Sequence, residues 1–540
     1  MILIQSLMQA LAAAGAHGMV GNPNVRCFET HLSWVLVAGD FAYKLKKAVR
    51  LPFVDFSTLA ARRFYCDAEL RLNRRLAPDL YLAVEPITGS ATHPRIGGSG
   101  EAIEYVLEMR AFDQSGLWSE RIANRSLSPA EIDSLANQLA RFHDATDRSA
   151  PASAWGSVAT VQQTADDNLE QLQLLLDEDG EGGILSQLWT WQRDQHAVLA
   201  GVFDRRKQDG FVRECHGDLH AGNVVTIGDR VAAFDCIEFS EAFRWIDVMS
   251  DIAFIDMDLR CRGVPAMAAR LLDRYLAQTG DYAGLPVYRY YRAQRALVRA
   301  KIGFIRNAQH RATAEGAVSG LPEVEEAAHY LAYAVHAVKP PTVAIMITHG
   351  FSGSGKSTFS QSLLELTGAI RLRSDVERKR LHALAATTRH VAQVGAGMYC
   401  AVSNEATYLK LQMLARWTIA AGFAVIVDAA FLEKKQRSTF RALAGELGVP
   451  FFQFDLRASH DTLRRRITAR SASQDEPSDA NLAVLAHQLR DHEPLADDEA
   501  AGTIVIDAEA RLDQDAVAQA CKAVLLALEV GGDKPGKTAR

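Results

Sequence analysis

Residues 342–358 read Thr-Val-Ala-Ile-Met-Ile-Thr-His-Gly-Phe-Ser-Gly-Ser-Gly-Lys-Ser-Thr. The first seven are apolar or β-branched, which predicts a buried strand over Thr342–Thr348. A loop with glycines at 350, 353 and 355 follows, and Lys356 opens a helix. Glycines at such spacing let backbone N–H groups turn inward around an anion, and the helix N-terminus adds its dipole. Gly350, Gly353, Gly355, Lys356, Ser357 and Thr358 are therefore candidate contacts for the phosphates of ATP, with Lys356 on the β/γ oxygens and the Ser357 hydroxyl on Mg²⁺.

Outward from this stretch, Pro340-Pro341 marks a joint. A helix cannot run through two prolines, and the residue before each is pushed towards extended structure. The helix-like pattern of 323–338 thus closes a first part, 1–338, and 339–341 forms a linker. A second part spans 342–530, and 531–540 has the composition of a tail. In the second part, the spacing G-x-x-x-x-G-K-S between strand and helix is the Walker A motif, which implies an α/β P-loop NTPase fold with a parallel sheet. A further apolar strand, Ala424–Asp428, ends in an acid, so Asp428 is the Walker B candidate on the metal side. Ala429 and Ala430 come next, where a mechanical hydrolase carries a second acid to activate water. That points to a kinase acting on a substrate hydroxyl.

Arg371–Arg378 resembles the strand-end D-x-x-R of polynucleotide-kinase-like and zeta-toxin-like phosphotransferases, which implies that Asp375 faces the acceptor hydroxyl. An N-cap on the helix expected over 376–384 is the competing role for Asp375. Leu463–Arg470 resembles the basic lid of small kinases. Arg466 and Arg470, four apart, share a helix face suited to the γ-phosphate, or else to solvent.

The first part opens with short strand-like segments at Val25–Glu29, Trp34–Ala38 and Phe41–Lys46, the last two joined by Gly39-Asp40 as a tight hairpin. A helix is expected over about 58–76 and strands at 81–87 and 103–109; 130–208 and 246–335 are mainly helical. The result is a sheet-rich small lobe, about 20–112, and a helical large lobe, 113–338. Between the helical stretches, 214–225 read Glu-Cys-His-Gly-Asp-Leu-His-Ala-Gly-Asn-Val-Val, and 231–238 read Val-Ala-Ala-Phe-Asp-Cys-Ile-Glu.

H-G-D-L-H-x-G-N followed by an apolar strand and D-x-x-E resembles the catalytic centre of the aminoglycoside phosphotransferase/choline kinase branch of the protein-kinase-like fold, an α+β architecture. The resemblance implies Asp218 as base, Asn223 and Asp235 as Mg²⁺ ligands, and His216 and Gly217 as shapers of the loop. It also implies that Asp251 braces that loop. His216 and His220 are four apart, but Gly217 and Gly222 argue for a loop and against a helical metal pair. Glu238 is either near the metal or an ordinary strand-end carboxylate.

Upstream, Ala42, Lys44 and Lys46 share one strand face. The resemblance puts Ala42 under the nucleotide base, Lys44 on the phosphates, Glu69 in an ion pair with Lys44, and 108–112 at the adenine hinge. Lys46 and Lys47 are expected at a solvated strand end. No G-x-G-x-x-G loop is present; Thr30–Ser33 stands in its place, with Ser33 the candidate phosphate cover. Both halves together resemble the bacterial bifunctional aminoglycoside phosphotransferase/ATP-binding proteins.

The composition narrows the function classes. Basic and acidic residues number 59 and 65, and hydrophobic residues make up 48% of the chain, as in ordinary globular proteins. Residues 341–540 hold 24 basic and 23 acidic side chains (+1) and the remainder 35 and 42 (−7). Neither part has the basic excess of a nucleic-acid binder, which disfavours a 5′-hydroxyl polynucleotide kinase. Seven scattered cysteines without a C-x-x-C pair read as buried reduced thiols of a cytoplasmic protein. No apolar run approaches the roughly 18 residues of a membrane span. The apolar N-terminus lacks a basic residue before Arg26, so an amphipathic helix is expected there in place of a signal peptide. The expected function is an ATP-dependent phosphotransferase acting on a small hydroxylated metabolite, fused to a second small kinase. An ATP-binding regulatory switch is the alternative, and the pattern leaves oligomeric state open.

Overall fold

The computed structural model describes residues 2–14, 25–51, 54–176, 182–313, 322–384, 400–471, 481–500, 502–509 and 512–528. The tail 531–540, the acidic run 475–479 and the side chain of Arg470 lie outside the described residues. The chain forms two compact units. The first comprises Met1–Arg262 and Gln294–Ala328; the second comprises Gly263–Ala293 and His329–Arg540. These units cut the chain elsewhere than the expected joint at 339–341, because 263–293 packs with the second.

In the first unit, period-two alternation produces a six-stranded antiparallel sheet. Its order is Arg26–Glu29, Ser33–Ala38, Phe41–Lys46, Glu104–Arg110, Tyr81–Ser90 and His93–Ile96. Gly39-Asp40 forms the expected tight turn, pairing Ala38 with Phe41. The helix Ile2–Ala14 buries Ile4 and Leu7 against Leu36, Ala38, Leu45 and Val106 of this sheet, each worth about 1.5–3 kcal/mol of burial. Thr58 caps the helix Leu59–Asn73 by accepting from Ala61 N. Between the helical stretches, the motif-bearing segment holds three short strands, Val212–Glu214, Val224–Ile227 and Arg230–Ala233. The last two pair as a hairpin, and the first pairs with Trp245–Asp247. The helices Pro129–Ala145, Val158–Leu176, Gly182–Gln208 and Val248–Cys261, with Trp118–Ala123 and the later turns of Leu285–Thr313, make up most of the helical part.

The second unit is built on five parallel strands in the order Ile370–Arg373, Val425–Asp428, Ile345–His349, Phe451–Arg457, Thr503–Asp507. Every residue of Ile345–His349 and Val425–Asp428 is buried, as strands covered on both faces require. The helix Lys356–Thr367 packs Phe359, Leu363 and Leu364 into a core with Met346, Ile426, Phe454 and Ile506. Ala269, from the helix Pro265–Thr279, belongs to the same core.

Candidate functional site

The first constellation begins on the strand Phe41–Lys46. Lys44 Nζ lies 2.7 Å from Glu69 Oε1 and 2.6 Å from Asp235 Oδ1. The strand, the helix Leu59–Asn73 and the turn after Arg230–Ala233 thereby meet at one ammonium. Lys46 departs from expectation: it is buried, not solvated. It shares the inward face with Lys44, donates to Glu69 Oε2 at 2.6 Å, pairs with Glu238, and lies 5.0 Å over the Phe56 ring. Glu238 is accordingly the partner of Lys46, not an exposed strand-end carboxylate. Lys47 reaches Glu29 at 2.6 Å and covers Trp34.

Glu69 is completely buried. Burial alone would raise its pKa, but Lys44 and Lys46 outweigh that and hold it well below the usual carboxylate value. Burial opposes the charge on both lysines too, yet their carboxylate partners raise both above the ordinary lysine value. Of the two carboxyls on Lys46, Glu238 is the one pushed up, by burial that Lys46 only partly offsets.

The loop 216–223 is held from beneath. Asp251 Oδ2 accepts from His216 N at 2.7 Å and Oδ1 from Gly217 N at 2.9 Å, while His143 Nε2 approaches Oδ2 at 3.4 Å. Asp251 is buried, which would raise its pKa, but His143, His216 and these N–H donors lower it. Gly217 has φ +88°, and a Cβ there would lie 2.6 Å from Phe243 O, so the turn requires glycine. His216 Nε2 lies 2.9 Å from Phe234 O, and burial lowers its pKa and favours the neutral ring. His216 and His220 are thus structural members of the loop: His220 Nδ1 accepts from Gly222 N at 3.1 Å.

Asp218 emerges from this loop with a side chain 36% exposed. Asn223 Nδ2 donates to its backbone O at 2.9 Å and to Oδ2 at 3.1 Å, and His220 Nε2 lies 3.5 Å from Oδ2. Against the opposing effect of burial, His220, Arg299 and His216 depress the Asp218 pKa, keeping a carboxylate at neutral pH. Asp235 adopts φ +62°, uncommon for a non-glycine residue, and its N–H donates to Tyr81 Oη at 3.1 Å. Asp218, Asn223, Asp235, Lys44 and Glu69 are therefore linked through two contact sets on either side of the short hairpin 224–233. The hinge segment fares differently. Arg110 N and Ala111 N donate to Leu80 O and Asp40 O, both at 2.8 Å. Ser33 is buried, its N–H donating to Thr30 Oγ1 at 3.0 Å within the hairpin turn.

In the second unit, Gly350, Gly353 and Gly355 all have positive φ, and a Cβ on Gly353 would lie 2.8 Å from Leu463 O. Lys356 Nζ donates to Gly350 O at 2.8 Å and Phe351 O at 2.7 Å, folded over the loop it follows. Ser354 Oγ is buried inside the loop without a hydrogen-bond partner. An orphan hydroxyl, an ammonium and glycines in one cradle are the donor set a polyphosphate needs. Asp428 is buried and accepts from Ser360 Oγ at 2.9 Å.

Asp375 sits in the first turn of the helix Ser374–Leu381, one residue past its start, so the N-cap expected for it falls to another residue. Arg373 clasps it bidentately (3.1 and 2.8 Å), and Val376 N donates to Oδ1 at 2.9 Å. Burial would raise its pKa, but Arg373 lowers it. Arg466, on the helix His460–Ser471, donates to Ala508 O at 2.7 Å, and its Nη1 would lie 3.8 Å from a Cβ on Gly355. Arg466 therefore borders the phosphate loop.

Sequence reasoning missed the inward turn of Lys46, although the alternation it shares with Lys44 carried the signal. It also missed His143 and Arg299, which sit far from any motif. Five of the seven cysteines are buried thiols, but Cys27 is exposed and Cys400 half-buried.

Comparison with known proteins agrees with this division of labour. Residues 59–291 match the phosphotransferase enzyme family, and residues 345–495 match the AAA domain family. The protein is an ATP-dependent phosphotransferase in which a kinase-like phosphotransferase domain and a P-loop domain share one polypeptide. Uncharacterized proteins of Mycobacterium tuberculosis and Mycobacterium bovis are 29% identical over 477 residues, covering 88% of this chain and 92% of theirs. Among solved structures, the chain is similar to a choline/ethanolamine kinase family protein from Mesorhizobium loti (14% identity, 62% of this chain and 99% of that one, TM-score 0.31). It is also similar to an ethanolamine kinase of Plasmodium vivax (12%, 59% and 83%, TM-score 0.36) and a gluconokinase from Sinorhizobium meliloti 1021 (17%, 35% and 93%, TM-score 0.24). Among the described residues, no helix is long and apolar enough to cross a membrane.

Proposed function

We propose that the first unit transfers the γ-phosphoryl group of ATP to a hydroxyl of a small metabolite. The observation that carries this reading is the meeting of Lys44, Glu69 and Asp235, residues 25 and 191 positions from the lysine, around one Nζ. Asp218 accepts the hydroxyl proton, the freed oxygen bonds to the γ-phosphorus, and the bond to the bridging oxygen breaks as ADP leaves. Lys44, steadied by Glu69, holds the phosphates. Val35, Val37, Ala42, Met109, Phe112 and Phe234 form an apolar cluster suited to the adenine ring. Asn223 and Asp235 offer the hard oxygen ligands that Mg²⁺ prefers, and Asn223 also keeps the Asp218 carboxylate oriented. When bound, Mg²⁺ neutralises charge on the β- and γ-oxygens.

In the second unit, Gly350, Gly353, Gly355, Lys356, Ser357 and Thr358 would hold a second ATP, Ser357 and Asp428 would hold its Mg²⁺, and Arg466, which borders the loop, would flank the γ-phosphate; Arg470 is the other candidate of the sequence for that role. Asp375 is the base of a second small-kinase site, facing its acceptor hydroxyl. The grip of Arg373 on Asp375 favours a second reading for this unit: an ATP-binding switch, as long as no acceptor draws Arg373 away.

Radiolabelled ATP with a metabolite extract tests both. Asp218→Asn lowers transfer at the first site by about 10²–10⁴-fold while ATP affinity stays within about twofold, because the carboxylate is needed for the proton and not for the phosphates. Equal turnover by variant and parent on every acceptor would falsify the Asp218 role. Lys356→Ala in the full chain removes one of two ATP equivalents in equilibrium dialysis; retention of both overturns the second site.

A further inference from the structure

Arg371 lies on the edge strand Ile370–Arg373 and is buried, yet its guanidinium is fully engaged. Nε and Nη2 clasp Asp273 at 3.2 and 2.7 Å. Nη2 also reaches Gln361 Oε1 at 2.7 Å, and Nη1 donates to Ser357 O and to Ser360 Oγ, each at 3.2 Å. Ser360 Oγ is at the same time 2.9 Å from Asp428 Oδ2. The polarity of this chain is fixed by its donors. Arginine has only N–H groups to offer, so the Ser360 oxygen accepts from Arg371, and its one hydroxyl proton goes to the charged Asp428 carboxylate at 2.9 Å in preference to Ser357 O at 3.2 Å. One buried arginine thus restrains both the first helical turn carrying Ser357 and the strand-end acid Asp428.

The counter-charge for that arginine comes from far away in sequence. Asp273 belongs to the helix Pro265–Thr279, within the residues that match the phosphotransferase family. The same helix packs on the phosphate-loop helix, with Arg270 Nη1 3.0 Å from Glu365 Oε1, while Arg380 Nη2 donates to Ala277 O at 2.9 Å.

We propose that Arg371, held by Asp273, is a positioning residue for the Ser357–Asp428 pair, so that the metal-dependent grip of the second site on nucleotide relies on a side chain outside the P-loop sequence. This rests on the reading of 350–358 as a nucleotide site. Outer partners of metal-facing groups act in this way, by orienting oxygens that themselves face the ion. Loss of Asp273 or Arg371 therefore impairs the Mg²⁺-dependent part of nucleotide binding more than the part made by the loop N–H groups and Lys356.

The test uses the full chain with the first site silenced by Lys44→Met and Asp235→Asn. Binding of a fluorescent ATP analogue is titrated against MgCl₂ and, separately, measured in EDTA. In this background, Asp273→Asn and Ser360→Ala each raise the half-saturating Mg²⁺ concentration about tenfold or more, while affinity in EDTA moves by less than about twofold. Ser360→Ala removes one hydroxyl and keeps the Arg371–Asp273 pair, so it reports even if the charge variant folds poorly. Asp273→Glu restores most of the Mg²⁺ response. Equal losses with and without Mg²⁺, or an unchanged Mg²⁺ midpoint in Ser360→Ala, overturn the proposal. A silenced parent that binds no nucleotide, with Lys356→Ala indistinguishable from it, overturns the nucleotide reading itself and the proposal with it.

Discussion

At the scale of single residues, the first site is organised by a pair of lysines sharing one glutamate. Lys44 and Lys46 together face Glu69, Asp235 and Glu238, two positive against three negative groups, of which Lys46, Glu69 and Glu238 are buried from water while Asp235 is partly exposed. Removing one partner of a buried pair leaves an uncompensated charge, whereas removing both costs far less. Lys46→Met strands Glu238 and weakens the hold on Glu69, so the first unit loses about 3–5 kcal/mol in urea unfolding followed by far-UV circular dichroism. Adding Glu238→Gln to Lys46→Met recovers most of that loss. A double variant no more stable than the single one would mean that Glu238 draws its stability from elsewhere. Lys44 stands apart: it is paired with partly exposed Asp235 at the proposed phosphate site, so on that proposal Lys44→Met acts on ATP affinity before it acts on folding.

At the scale of elements, the loop 216–223 and its brace decide how Asp218, the proposed base, is presented. Asp251, in the helix Val248–Cys261, takes both N–H groups of the His216-Gly217 turn. Its pKa is depressed in the folded state, so the unfolded chain binds the proton more tightly. The stability it contributes is complete above its unfolded value of about 3.9 and is lost as pH falls through the lower folded value. Asp251→Asn lowers the melting temperature at pH 7 and flattens the acid limb of a melting profile taken from pH 7 to pH 3. A parallel displacement of the whole profile would contradict the linkage.

Elements of this kind were largely legible in the sequence. The strands Phe41–Lys46, Ile345–His349 and Val425–Asp428 and the helix Leu59–Asn73 follow from alternation, β-branched runs and the helical pattern over about 58–76. The strand His93–Ile96 did not, because Pro94 and a short polar span give no alternation to read. The competing N-cap role of Asp375 was off by two positions, since the cap falls on Arg373. An acid near a helix start is equally good as cap or as first-turn residue, and only the backbone, which turns helical at Ser374, decides between them.

At the scale of the whole molecule, the least legible feature is which residues fold together. Pro340-Pro341 is a real break between helix and strand, but the second unit recruits 263–293 from ahead of it. The amphipathic pattern of Pro265–Thr279 announces that one face is buried; it carries no information on which surface buries it. In the folded chain that surface includes the core of the P-loop sheet, and Asp273 supplies the charge opposite buried Arg371. Tyr288 adds an aromatic contact to Phe423, with ring centroids 6.0 Å apart. A fragment cut at 341 therefore exposes an apolar helix face and leaves a buried guanidinium without its carboxylate, a loss of about 3–5 kcal/mol from the ion pair alone. That is a large share of the stability of any domain, about 5–15 kcal/mol. The fragment 341–540 is expected to aggregate or to melt without cooperativity. Joining 263–293 through a flexible Gly/Ser linker to the N-terminus of 329–540 is expected to restore a sharp calorimetric transition, and Arg371→Met in the short fragment to recover part of it. A short fragment that melts as sharply and as high as the joined one would show that the P-loop core closes without the borrowed helix. The dependence of the second unit on the first stretch of chain would then be one of covalent connection only.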